Sequence, residues 1–95
     1  MISKNELSTE QANFLRSKGF GVQGEWNLGD VGFAVDPIYV CGNGHLSGNH
    51  ISPRTIFTII ERENGFFCIM LESGETCWIL SGGPSRVEKL HPLQT

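Results

Sequence analysis

The stretch Ile56-Phe57-Thr58-Ile59-Ile60-Glu61-Arg62-Glu63-Asn64-Gly65-Phe66-Phe67-Cys68-Ile69-Met70-Leu71-Glu72-Ser73-Gly74-Glu75-Thr76-Cys77-Trp78-Ile79-Leu80 decides the architecture of this 95-residue chain. Its β-branched and aromatic runs suit the pleated, half-buried surface of strands. Asn64-Gly65 separates two of them, and this dipeptide is the strongest short hairpin signal, because both residues accept the positive φ of a tight two-residue turn. Ser73-Gly74 turns the chain again before Thr76. The reading is a three-stranded antiparallel meander over 55–62, 66–72 and 75–81.

With Ser73-Gly74 as a two-residue turn, Met70 faces Cys77 and Cys68 faces Ile79. Phe66, Cys68, Met70, Cys77 and Ile79 then share one face, while Phe67, Ile69, Leu71, Trp78 and Leu80 share the other. Both faces are apolar, so each requires a cover. The rest of a barrel is expected over one, and an N-terminal helix or a second subunit over the other.

Upstream, Ser8-Thr9-Glu10-Gln11 matches a capping box and starts a helix expected over Ser8–Lys18. Phe14 and Leu15 supply its apolar stripe. Gly19 fits the left-handed residue that ends a helix, with Phe20 placed to fold back on Leu15. From Gly19 to Pro53 the chain holds eight of its twelve glycines and no Lys or Arg, which marks a loop-rich region. Two short strands interrupt it at 31–35 and 38–41, separated by the bend Asp36-Pro37. Downstream, Ser81-Gly82-Gly83-Pro84-Ser85-Arg86 is a tight turn, and 87–90 is a closing strand.

The fold class is therefore α+β and β-rich: one N-terminal helix (1–20) packed on a small, partly open antiparallel β-barrel (31–92), in a single domain over 1–95. Over about residues 31–92 the strand order resembles that of Src-homology-3 or Tudor barrels, a likeness of pattern with no family motif behind it. The expected core is Phe14, Leu15, Phe33, Val35, Phe57, Ile59, Ile69, Leu71, Trp78 and Leu80, with Met70 and Cys77 opposite.

A formal charge of −3, with seven basic residues scattered along the chain, opposes a dedicated nucleic-acid or membrane-surface binder. No run of 18 apolar residues and no staged leader is present, so the expected location is cytoplasmic. Three cysteines at uneven spacing make a poor disulfide framework and fit buried thiols in a reducing compartment.

Cys41, His45 and His50 form C-x3-H-x4-H, and sulfur and imidazole are ligands that zinc accepts. The spacing matches no closed structural zinc pattern, and the bland reading is a glycine-rich surface loop beside a core cysteine. Gly42, Gly44 and Gly48 follow a strand, yet neither a helix nor a basic residue accompanies them as phosphate loops require. Cys41 with His45 or His50 and Asp36 is the closest approach to a nucleophilic set, and nearness in sequence says little about geometry. The pairs Glu61/Glu63 and Glu72/Glu75 flank hairpin turns and read as solvated strand-end charges. Trp26, Tyr39, His45, His50 and Arg86 are the candidate binding residues, by analogy with small barrels whose early loops and late turn hold the groove. The opposing reading is that Trp26 and Tyr39 plug the core.

A non-enzymatic module for protein-protein interaction, acting as a homodimer, is the expected function. In size and charge it resembles small acidic accessory proteins of mobile elements. No cofactor is expected. The alternative is an oligomer that binds a small molecule or metal, zinc in particular, through the Cys41–His50 loop.

Overall fold

A computed structural model of the chain describes residues 7–41 and 50–90. One helix, α1 (Thr9–Lys18), precedes seven strands: β1 (Val31–Ala34), β2 (Ile38–Tyr39), β3 (His50–Ile51), β4 (Ile56–Glu63), β5 (Phe66–Leu71), β6 (Thr76–Leu80) and β7 (Val87–Leu90). The expected strands and helix all form. β3 is additional, and among the described residues it pairs with β2 alone.

The main sheet has five antiparallel strands in the order β6-β5-β4-β1-β7. It is not closed into a barrel, which corrects the expected architecture. β6 and β7 remain its edges. Among the described residues, the strand bridges from the end of β6 toward the turn before β7 run through the single residue Val22, paired to Ser81 and to Ser85. One residue cannot carry a continuous ladder, so the sheet stays open.

The helix forms as its ends dictate. Ser8 Oγ accepts from the Gln11 amide at 3.1 Å, and Gln11 Oε1 accepts from the Ser8 amide at 3.0 Å. At the other end Gly19 takes φ 69° and donates its amide to the Leu15 carbonyl, a backbone shape that costs glycine least.

The Asn64-Gly65 turn behaves as read, with Glu63 paired to Phe66 and φ of 42° and 88° at the two turn residues. The second turn does not. Leu71 donates to the Glu75 carbonyl, so Glu72, Ser73 and Gly74 form a three-residue loop that ends on Gly74 at φ 91°. That slips the register by one: Cys68 faces Trp78 and Ile69 faces Cys77. Because side chains alternate, the slip exchanges the two faces of β6. Cys77 and Ile79 join Phe67 and Ile69, while Trp78 joins Phe66 and Cys68.

Two cores result, one on each face. The first holds Val22, Trp26, Ala34, Ile38, Ile51, Phe57, Ile59, Phe67, Ile69, Cys77 and Ile79, closed by the loop segment and the β2–β3 pair. The second holds Ala12, Leu15, Cys41, Phe66, Cys68 and Trp78, closed by α1, with Phe14 and Leu80 half-buried against it. Phe33 and Val35, expected in the core, are half-buried and belong to neither. Met70 is 41% exposed. These departures share one cause: α1 is short and covers only one end of its face.

Candidate functional site

The loop-rich segment is tied to the 81–86 turn by backbone contact. Val22 donates to the Leu80 carbonyl, Gly82 to that of Val22, Gln23 to that of Ser85, and Ser85 to that of Gly21. The chains cross so tightly that a β carbon on Gly21 would lie 2.5 Å from the Leu80 carbonyl oxygen. This crossing sets Phe20 beside Pro84.

A second clasp holds the bend between β1 and β2. The Asp36 carboxylate accepts from the Arg86 amide at 3.0 Å, from Nε at 3.2 Å and from Nη2 at 3.3 Å. Ser85 Oγ donates to the Pro37 carbonyl at 3.1 Å. The hydrogen bonds from Arg86 hold the Asp36 carboxyl below its ordinary value of 3.8.

Between the two clasps lies an open groove of about 410 Å³, lined by Phe20, Asp36, Pro37, Tyr39, Pro84 and Ser85. Its walls are aromatic and pyrrolidine rings. Phe20 and Tyr39 lie 5.6 Å apart between ring centroids, tilted by 39°. Phe14 meets the Tyr39 ring edge-on at 6.2 Å, His50 flanks it at 6.1 Å, and the Lys18 ammonium sits 5.3 Å from it. Phe20 is 47% exposed, so half of this large ring faces water. It packs on Tyr39 at the groove rather than serving only to finish the helix.

Of the candidate binding residues, the fold therefore brings Tyr39 and His50 together, as cross-strand partners on β2 and β3. Arg86 adjoins them through Asp36. Trp26 stands elsewhere, buried in the first core against Phe57, with Nε1 donating to the Gln23 carbonyl at 3.0 Å. Lys89 covers its ring and also pairs with Asp30 at 3.2 Å. Trp26 is thus a core lid. His45 lies outside the described residues.

The Cys41 thiol is buried beneath α1 with Sγ 3.9 Å from the Gln11 carbonyl, and burial raises its pKa. His50 is exposed. Among the described residues no three His, Cys, Asp or Glu side chains are grouped to hold a metal. Cys77 is pushed up to about 12 by burial, with the neighbouring thiols adding to it, so it stays a neutral core thiol at ordinary pH.

Sequence reasoning missed Phe20, Pro37 and Pro84 as wall residues. Their signals were present but weak: a large apolar residue just after a helix-ending glycine, and two prolines in turns. Among the described residues no helix is long and apolar enough to cross a membrane. Comparison with protein-family models, curated proteins and solved structures finds no match for this chain.

Proposed function

We propose that the chain is a non-enzymatic protein-binding module, working as a homodimer, whose groove takes an extended, proline-containing segment of a partner protein. The observation that supports this is the chemistry of the groove. Its rings offer apolar faces, while two of its polar side chains already hold partners within the fold, Asp36 with Arg86 and Ser85 with the Pro37 carbonyl.

A peptide amide pressed against the ring faces of such a groove forfeits its water without gaining an acceptor, which costs free energy. Proline has no amide hydrogen to forfeit, and its extended left-handed helix is already ordered before binding. Ring-lined grooves are a recurrent solution for such segments.

The test is a titration of the ¹⁵N-labelled protein with a synthetic proline-rich peptide, alongside a glycine-serine peptide of equal length. Shifts confined to Phe20, Tyr39 and Ser85, saturating with the proline peptide only and lost in Tyr39→Ala, are expected. Equal shifts with both peptides, or none at millimolar peptide, refute it.

A further inference from the structure

Lys18 closes the last turn of α1, and its ammonium stands over two aromatic rings at once, 5.6 Å from the Phe14 centroid and 5.3 Å from that of Tyr39. Tyr39 is a wall of the groove, so a full positive charge is held beside an otherwise apolar cleft. The two rings meet edge to face at 79°, and the negative face of an aromatic ring attracts a cation. That attraction holds the flexible lysine stem at the wall without spending any of its three N–H donors on an acceptor. Among the described residues no carboxylate pairs with Lys18.

The other charges at the groove cancel. Asp36 gives both carboxylate oxygens to Arg86, Oδ2 to the amide and Nε and Oδ1 to Nη2, so this pair adds no net charge. His50, the other polar neighbour of the Tyr39 ring, carries no negative charge in either protonation state. The groove is therefore locally positive in a chain whose formal charge is −3, the reverse of the molecule as a whole.

We infer that the segment held in the groove carries an acidic side chain beside its proline core, and that Lys18 pairs with it. The inference rests on the proline reading above and adds a charge requirement to it. A basic segment would meet like charge at the Tyr39 wall, and a neutral one would leave the ammonium with water alone. A carboxylate gains a charge-assisted hydrogen bond there. The negative charge of the whole chain does not defeat this, because at physiological salt exposed charges are screened beyond about 8 Å, and Asp36 is already neutralised by Arg86. Lys18 is exposed, so the pair stays wet and works as a surface ion pair, a gain of about two- to fivefold in affinity. Its role is thus to select among proline-containing segments rather than to supply the bulk of the binding.

The test compares synthetic peptides that share one proline core and are flanked by glutamate, glutamine or lysine, in titrations of the ¹⁵N-labelled wild type and of Lys18→Gln. The wild type is expected to bind the glutamate peptide about two- to fivefold more tightly than the glutamine peptide, and the lysine peptide least. Raising salt from about 0.1 M to about 1 M, which shortens the screening length from about 10 Å to about 3 Å, should erase the difference, as should Lys18→Gln. Equal affinities of the wild type for all the peptides overturn the charge requirement and leave the proline reading standing, whereas binding of none overturns both. A preference for glutamate that survives in Lys18→Gln overturns the assignment to Lys18. Should that variant unfold, the Lys18 Cε resonance of the wild type decides: a shift with the glutamate peptide that the glutamine peptide does not give supports the pairing, and identical shifts overturn it.

Discussion

Gly21 and Gly83 touch backbone to backbone: a β carbon on Gly83 would collide with the amide nitrogen and carbonyl oxygen of Gly21, and one on Gly21 with the carbonyl of Leu80. Neither residue has positive φ, so the requirement is one of space and not of backbone conformation. The contact fixes where Phe20 and Pro84 stand, and with them the two walls of the groove.

Gly83→Ala is therefore expected to destabilise the fold by about 1–3 kcal/mol, the usual range for forced overpacking. Gly19→Ala provides the contrast, since no atom lies near its missing β carbon and its cost comes from φ 69° alone, about 1 kcal/mol. Urea unfolding of both checks this. The groove makes the distinction sharper, because Gly83→Ala should also shift the Phe20 and Tyr39 resonances whereas Gly19→Ala should shift mainly the helix end.

Acid should open the second clasp late. Folding lowers the Asp36 pKa from 3.8 through the hydrogen bonds of Arg86, so the stabilisation is fully present above 3.8 and is lost as pH falls through the lower folded value. Unfolding midpoints measured from pH 6 down to pH 2 should show this loss in the wild type and a smaller one in Asp36→Asn. Identical acid profiles would mean that the clasp contributes nothing.

Alkali acts on the opposite core group. Cys77 in the folded protein holds its proton up to about 12, while the unfolded chain releases it near 9.0. Above 9.0 the folded state binds more protons than the unfolded one, so stability falls as pH rises. Cys77→Ala should flatten this alkaline decline, at the expense of lower stability near pH 7 from the cavity left in the first core. Because Cys41, Cys68 and Cys77 are all buried, a thiol reagent should modify them only at the rate of opening. Rapid modification of any of them in the native protein would contradict this placement.

The strands and the helix were legible because each carries its own local signal: the capping residues Ser8 and Gln11, the Asn64-Gly65 turn, the β-branched runs. The exchange of faces on β6 came from a single count. Glu72-Ser73-Gly74 contains both a two-residue and a three-residue turn, and the choice exchanges the faces of Trp78 and Cys77. The bulge between Ile59 and Glu61 has no signal of its own, since it is set by how β4 bends over β5. Tyr39 and His50 were singled out by analogy with small barrels, but their pairing on β2 and β3 was not read, because a two-residue strand at His50-Ile51 is too short to carry a pattern. Phe20, Pro37 and Pro84 meet only through the Gly21–Gly83 crossing, a contact between distant segments that a single sequence does not display.

The two cores each contain one tryptophan, Trp26 in the first and Trp78 in the second, so their stabilities are separately measurable. The helix that closes the second core buries only Gln11, Ala12 and Leu15, too little to hold a three-turn helix as firmly as the paired strands β4 and β5. Leu15 is the largest of its anchors and is 1% exposed; Leu15→Ala should cost about 2–5 kcal/mol. In a Trp26→Phe background, the emission of Trp78 should move to longer wavelength at lower urea than the loss of sheet circular dichroism, and Leu15→Ala should widen that gap. Hydrogen exchange should agree, with amides of α1 exchanging faster than those of Ile59 and Ile69. Coincident transitions in both variants would show instead that α1 and the sheet melt as one unit, with the second core as firm as the first.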